Sequence, residues 1–180
     1  MDLAWIIAVA AAAGGPLTPG AVPVLAPPAA LTCAVATPPG RPLTFAPRVG
    51  LTPRPVTVRG NLQLTGCVSP DGSAGALRSG WVSLRATADI SCTSARHVRG
   101  RAVVVWFGWD GRPLGSSRIR GSEGSLATHR PADTLLGGTV TYGPLKGRPT
   151  AGGLMPDAGL IGCATQGLER LSGTGRMTFG

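Results

Sequence analysis

The chain has 180 residues, and its 28 glycines and 17 prolines account for one quarter of them. That fraction borders on low complexity, but 41 Leu, Ile, Val and Phe residues are enough to bury a core, and the length fits a single domain. The formal net charge of +9 comes from 17 basic and only 8 acidic residues, and this scarcity of charge excludes long solvated helices and coiled coils.

Residues 1–30 are predicted to be a secretory signal peptide. The apolar run Leu3–Ala13 is too short to cross a bilayer and has the length of a signal-peptide hydrophobic region. No Lys or Arg precedes Arg41, which a true start codon upstream of Met1 would explain. A buried helix is the alternative, but the prolines that follow would end it. We expect cleavage between Ala26 and Thr32, and a secreted product with no stable membrane span.

A lipid anchor on Cys33 is an alternative to simple cleavage. The lipidation signal has a small residue directly before the cysteine and a leucine three positions before it, whereas this chain has Thr32 and Ala30 there. We therefore favour a disulfide role for Cys33.

The four cysteines are predicted to form two disulfides, because their number is even and an exported chain meets an oxidising space. They contain no C-x-x-C pair, which argues against a zinc site. Three connectivities are open. We favour Cys33–Cys67, which closes the Pro-rich lead-in onto the first long strand, and Cys92–Cys163, which joins strands distant in sequence.

Residues 31–55 form a Pro-rich lead-in segment, which must be extended or looped because proline removes backbone donors. Phe45 and Val49 are its candidate anchors on the core. Residues 56–180 are predicted to form a β domain, and residues 31–180 to fold as one unit.

The strongest strand signals lie in the first half of the β domain. Val56–Val68 alternates, with the valines and leucines on one face, Thr57 through Cys67 at odd positions on the other, and a bend at Gly60. Trp81–Ile90 alternates in the same way. Arg101–Trp109 is continuously apolar and is typical of a central strand.

Turn residues separate these segments, and shorter strands complete the pattern. Pro70-Asp71-Gly72 and Asp110-Gly111 are typical of tight turns. The remaining predicted strands are Ser116–Arg120, Gly137–Tyr142, Leu160–Ala164 and Arg176–Phe179. Because no window after Pro55 has helical periodicity, the predicted fold is all-β: an antiparallel β-sandwich or barrel of about seven to nine strands after the signal segment.

No motif predicts a catalytic site. His97 and His129 lie beside arginines and lack a carboxylate at a recognisable spacing, so we interpret them as solvated loop residues. Ser116 and Ser117 lack the Gly-x-Ser-x-Gly elbow. The carboxylates are widely spaced, and paired-carboxylate hydrolysis would require the fold to assemble them. We expect no enzyme activity, no cofactor and no metal site.

The tryptophans offer a candidate ligand contact. Trp106 and Trp109 are three residues apart, so one should face the core and the other the rim. We expect Trp81, Trp106 and Phe107 in the core. Trp109, beside the turn and close to Arg112, could stack on a sugar or contact a partner protein. Secretion and the lack of further interleaved aromatic and basic residues argue against nucleic acid.

A series of landmarks along residues 31–180 resembles a group of uncharacterised, small, secreted, disulfide-bearing β proteins of actinobacteria. The landmarks are Cys33, Phe45-Ala46-Pro47, Thr65 to Ser69, Ser91-Cys92-Thr93, Gly100 to Trp106, Gly137 to Tyr142 and Cys163 with Gly167-Leu168. The resemblance implies a secreted β domain and no particular activity or cofactor. Secreted subtilisin inhibitors and enediyne-carrying apoproteins have short-range disulfide loops that this chain lacks.

The positive charge has two interpretations. Sixteen of the 17 basic residues are arginine and only Lys146 is lysine, which a GC-rich genome explains in part. A charge of +9 nevertheless attracts polyanions whatever its origin.

Our leading hypothesis is a secreted, non-enzymatic β domain that acts by surface contact with an unidentified ligand. The first alternative is a carbohydrate or cell-wall binding module that uses Trp109 and nearby arginines, with an anionic cell-wall polymer or a carbohydrate as its partner. The second is an inhibitor of a secreted enzyme, which would need an exposed rigid loop, for which Gly143–Asp157 is the candidate.

Overall fold

The computed structural model describes residues 29–121, 136–157 and 161–180. The predicted signal peptide falls almost entirely outside these residues and stays a prediction. Within the described ranges the protein is all-β, as predicted, with ten strands and one short helix. In chain order these are β1 Leu31–Ala36, β2 Leu43–Val49, β3 Arg54–Val68, β4 Ser79–Ser91, β5 Ser94–Phe107, β6 Pro113–Gly121, β7 Gly138–Tyr142, β8 Pro149–Pro156, α1 Ile161–Gln166, β9 Leu168–Leu171 and β10 Gly173–Phe179.

Eight of the strands form a closed antiparallel barrel. Their order is β1-β10-β8-β7-β6-β5-β4-β3, and β3 pairs with β1 to close the ring. Of the two predicted architectures, the structure shows the barrel and not the sandwich. Closure pairs each of its strands on both sides and so removes the free edges. Strands β2 and β9 lie outside the ring, where β2 pairs with β3 and β9 pairs with β2.

Strand β3 shares one edge between two partners. Residues 57–59 pair with β2, whereas residues 63–68 pair with β1. Gly60 lies at the change of partner, and a Cβ there would come within 2.7 Å of Leu43 Cδ2. Glycine thus permits the close approach of β2, while Val58 and Leu62 on either side point into the core.

The predicted alternation of β3 is wrong at its end. Cys67 was expected on the polar face but is buried, and Val68 was expected in the core but is 60% exposed. The cause is a β-bulge: Gly66 has φ 56°, and the register with β1 shifts by one residue between Thr32 and Ala34. One extra residue in a strand moves every later side chain of that strand to the opposite face of the sheet.

Both predicted disulfides are present. Cys33–Cys67 joins β1 to β3 across the strand pair that closes the barrel, and the bulge is what turns Cys67 toward Cys33. Cys92–Cys163 joins the β4–β5 turn to α1. The Cys92 backbone N–H also donates to the Gly50 carbonyl at 2.9 Å, which ties the same turn to the segment after β2.

The predicted strand Leu160–Ala164 is wrong, since α1 occupies Ile161–Gln166. The sequence LIGCA is as apolar as a short strand. In the structure, however, a helix places Cys163 where it forms its disulfide with Cys92. Gly167, with φ 74°, follows the helix, and its N–H donates to the Cys163 carbonyl at 3.2 Å, as in a left-handed helix C-cap.

Two Pro- or Gly-rich segments contain strands that the composition conceals. The lead-in supplies β1 and β2, and its anchors Phe45 and Val49 are buried as predicted. The prediction of an exposed loop over Gly143–Asp157 is wrong for most of these residues. They include β8, which pairs with β7 and β10. At Gly152 a Cβ would lie 2.7 Å from the Arg176 carbonyl oxygen, so close strand packing selects glycine there.

The core centres on Trp106, which is fully buried. Its ring meets Phe179 edge to face at 5.3 Å, and its indole N–H donates to Ser117 Oγ at 2.8 Å. The Ser117 hydroxyl in turn donates to the Pro144 carbonyl, so the buried indole is satisfied. The predicted core positions of Trp81 and Phe107 are wrong: both side chains are half-buried, and their strand parity places them on the outer face.

Replacing Cys33 and Cys67 together by alanine should lower the free energy of unfolding by about 4 kcal/mol, because the bond closes a loop across 34 residues of sequence. Urea unfolding followed by tryptophan fluorescence measures the change. The double variant Cys92→Ala/Cys163→Ala, whose loop spans 71 residues, should lose a similar amount. An unfolding midpoint equal to that of the native chain would contradict the prediction.

Candidate functional site: an arginine face on the outside of the barrel

Four arginines form one row across four neighbouring strands. Arg59 on β3 lies directly opposite Arg85 on β4, Arg85 lies opposite Arg101 on β5, and Arg101 lies opposite Arg120 on β6. All four are exposed. Because paired strands lie about 4.8 Å apart, the row extends about 14 Å across the sheet.

Two further arginines widen the row. Arg99 on β5 and Arg118 on β6 each lie two positions along the strand from a member of the row and point to the same outer face. We call the set of six the arginine face: Arg59, Arg85, Arg99, Arg101, Arg118 and Arg120. An open groove of about 670 Å³ lies on it, lined by five of the six, all but Arg59. Among the residues that the structure describes, those that line this groove include no carboxylate.

The period of two explains why arginine faces outward here. On β4 and β5 the arginines alternate with small inward residues, among them Ala86, Gly100 and Ala102. A Cβ at Gly100 would lie 2.9 Å from the Ala86 Cβ, so the interior is filled by backbone and small side chains at this level. A cavity of about 30 Å³ remains inside the barrel, enough for one water and too small for an organic ligand.

The row is electrostatically unfavourable for the folded protein. Like charges directly opposite each other on paired strands destabilise a sheet. Within the ranges that the structure describes, no carboxylate forms an ion pair with Arg59, Arg85, Arg101 or Arg120. The face therefore concentrates positive potential in a concave surface, an arrangement that attracts and holds anions.

The outer surface changes character on the side of Arg118. The Arg118 guanidinium lies over the Tyr142 ring, 5.4 Å from its centroid, and Tyr142 is 59% exposed. In the neighbouring strands the same level holds Val103, which is 41% exposed, and Ser83, whose hydroxyl donates to Asn61 Oδ1 at 2.9 Å. This level therefore runs from the aromatic ring of Tyr142 through the Arg118 cation and the apolar Val103 to the polar Ser83 and Asn61.

The predicted ligand contact lies elsewhere, at the tip of the β5–β6 hairpin. Trp109 is 90% exposed while Trp106 is buried, as their spacing predicts. The Asp110-Gly111 turn forms as predicted, and the Gly108 N–H donates to the Arg112 carbonyl at 3.0 Å. The Arg112 guanidinium lies 3.4 Å from an Asp110 carboxylate oxygen, so its charge is balanced locally. The structure brings Trp109 and Arg112 together but places neither in the arginine groove.

The solvent exposure of His97 is confirmed, but its predicted loop position is wrong, since it lies in β5, and a carboxylate contacts it although the sequence spacing gives no sign of one. Its Nδ1 lies 2.8 Å from Asp89 Oδ2, with 74% of the histidine side chain exposed. A register shift after Thr87 brings β4 and β5 into this pairing, which sequence spacing does not reveal. His129 lies outside the described residues.

The remaining polar candidates have structural roles. Ser117 is buried and bonded to Trp106 and Pro144. The Ser73 hydroxyl and backbone N–H and the Ser69 hydroxyl all donate to Asp71, and these bonds lower the pKa of its carboxyl below the ordinary value. They fix the predicted turn at Pro70–Gly72.

No group of three or more metal-ligating side chains occurs among the described residues. In the same part of the chain, no helix has the length and apolarity needed to cross a membrane.

Sequence periodicity alone does not predict the arginine face, although it places two of the four arginines of the row on the outside. The alternation of β3 and β4 puts Arg59 and Arg85 outside. Their direct opposition to Arg101 and Arg120 depends on strand register, which is set by turn lengths and bulges and not by periodicity.

Neutralising Arg101 by the change Arg101→Gln should stabilise the protein by roughly 0.5 kcal/mol at low ionic strength, because the side chain lies between Arg85 and Arg120. The gain should shrink in 0.5 M salt, where the Debye length falls to a few ångströms. Thermal unfolding at both salt concentrations measures it.

The matched control is Arg176→Gln. Arg176 is an exposed arginine on the outside of β10 whose cross-strand neighbours are Ala34 and Gly153. It should show no such gain, and an equal gain from both variants would trace the effect to net charge alone.

Comparison with protein-family models, curated proteins and solved structures finds no match for this chain. The function of the face therefore has to be argued from its own charge, exposure and geometry.

Proposed function

We propose that the protein is secreted and acts without catalysis, by surface contact, and that the arginine face binds an extracellular anionic polymer. The observation that carries the proposal is the direct row Arg59–Arg85–Arg101–Arg120. Four like charges held opposite one another weaken the sheet, and an anion that bridges them converts this repulsion into attraction.

Secretion is supported by the disulfides and by the signal-like N-terminal sequence. Two disulfides in a small domain are typical of proteins that fold in an oxidising compartment. An anionic cell-wall polymer is then a ligand that the folded domain would meet, which is the reason to prefer it to an intracellular polyanion.

A non-catalytic role is supported by the surroundings of the reactive side chains. The His97–Asp89 pair is open to solvent, and Ser117 is engaged with Trp106 and Pro144 inside the barrel. General acid–base chemistry gains from exclusion of water and from a positioned nucleophile, and the described surroundings of His97 supply neither.

A second candidate function is favoured by Trp109, whose 90% exposure at a hairpin tip is unusual for tryptophan. The ring could stack on a neutral glycan, as in a carbohydrate-binding module. This surface lies apart from the arginine groove, so the two candidates are separable by mutation.

Binding of wall teichoic acid and of inorganic polyphosphate, measured by titration calorimetry at two salt concentrations, tests the proposed function. The variant Arg85→Gln/Arg101→Gln should bind at least tenfold more weakly, because it removes two charge-assisted contacts from the centre of the row. The affinity of the native protein should fall as salt is raised.

The control variant is Arg148→Gln/Arg176→Gln, which removes the same charge from exposed positions just before β8 and on β10 that do not line the arginine groove. It should keep affinity within twofold of the native value. Equal losses from the two double variants would reduce the effect to net charge and contradict a specific site.

The variant Trp109→Ala should leave polyanion affinity unchanged, since the ring lies outside the groove. If it abolishes retention on an insoluble neutral glycan such as chitin, the second candidate is supported. A native protein that chitin does not retain would remove that candidate.

A further inference from the structure

We infer that the ligand of the arginine face is a linear phosphodiester polymer of sugar or polyol units without nucleobases, which lies across strands β3 to β6, perpendicular to them. The inference rests on the proposed function and names the class of polymer. It follows from the direction of the row, the chemistry of the cations and the groups that flank them.

The direction of the row requires a linear ligand. The four arginines come one from each strand at the same level, so their Cα atoms follow a line about 14 Å long across the sheet, and their side chains extend from the same face. A small anion such as a single phosphate would contact one or two of them. A chain with an anionic group every few ångströms would engage the whole row at once.

The cations of the face are all arginine. A guanidinium presents a planar fork of N–H donors that matches two oxygens of one anionic group, and phosphate and carboxylate both fit it. In a phosphodiester polymer the paired oxygens lie on the backbone itself. Such a chain can therefore rest in a shallow groove with its charged groups toward the sheet, whereas in a polyuronate the carboxylates project sideways from the bulky sugar rings that form the backbone.

The flank of the row supplies the contacts that a sugar unit needs. Tyr142 offers an exposed ring beside Arg118, and Thr141 lines the groove. The Thr141 hydroxyl donates to the Arg118 carbonyl at 3.2 Å and lies beside this ring. An aromatic ring with a neighbouring hydroxyl can bind the apolar face and a hydroxyl of a sugar.

The same surface fits single-stranded nucleic acid less well. Base stacking along a strand needs several open aromatic rings at successive positions. Of the aromatic side chains on this face, Trp81 is half-buried, and Tyr142 already has the Arg118 guanidinium on its ring. One partly covered ring suits an occasional sugar contact and not a series of stacked bases.

The experiment compares four polymers of similar length on the intact protein: a glycosylated wall teichoic acid, inorganic polyphosphate, single-stranded oligothymidylate and polygalacturonate. We expect the teichoic acid to bind at least fivefold more tightly than each of the others. We also expect a length threshold, with fragments of one or two phosphodiesters binding at least tenfold more weakly than fragments of four or more.

Variants at Tyr142 separate the sugar contact from the charge contact. Tyr142→Ser should weaken teichoic acid binding at least fivefold while changing polyphosphate binding less than twofold, because the arginines remain. Tyr142→Phe keeps the ring and should restore most of the affinity. Tyr142 is 59% exposed, so we expect both variants to fold. Their circular dichroism spectra and melting temperatures check this.

The outcomes distinguish the two proposals. If polyphosphate and teichoic acid bind equally, show the arginine dependence and ignore Tyr142, the face binds polyanions but this inference fails. Tighter binding of oligothymidylate or polygalacturonate than of teichoic acid overturns it as well. If none of the four polymers binds, or if Arg148→Gln/Arg176→Gln weakens binding as much as Arg85→Gln/Arg101→Gln, the proposed function itself fails.

Discussion

The division of the β3 edge between two partners is the constraint on which the rest of the molecule depends. Pairing of residues 63–68 with β1 closes the barrel, and pairing of residues 57–59 with β2 carries the chain out of it. Gly60 permits the close approach of β2, and the bulge at Gly66 turns Cys67 inward to its disulfide. Once β1 is fixed against β3, the register of the adjoining strands follows around the ring.

That register has an electrostatic cost which the fold does not require. On β3 and β4 the levels on either side of the arginine row hold neutral outward side chains, Thr57 opposite Thr87 and Asn61 opposite Ser83. Neutral residues would therefore serve the sheet equally well at the level of Arg59 and Arg85. The core and two disulfides supply the stability that tolerates the repulsion, and local sacrifice of stability is a common property of binding sites.

The fold class could be predicted from the sequence because alternation is a local signal, and it holds from Val56 to Leu64. It failed where backbone conformation overrides periodicity, at the Gly66 bulge and in α1. Strand β2 was hidden by its proline and β8 by its prolines and glycines, and close packing selects glycine at Gly152 in β8. The candidate site was harder still, since the opposition of Arg101 to Arg85 and Arg120 is a product of register across four strands.

The distribution of arginine also bears on whether the charge reflects genome composition alone. A compositional bias acts on every codon alike and should scatter arginine over all outward positions. Strands β3 to β6 contain eight arginines in 51 residues, whereas β1, β7, β8 and β10 contain one, Arg176, in 26. Both halves of the barrel have the same need for soluble outward side chains. Genome composition can explain why these cations are arginine instead of lysine, but it does not explain why they lie together on one side of the barrel.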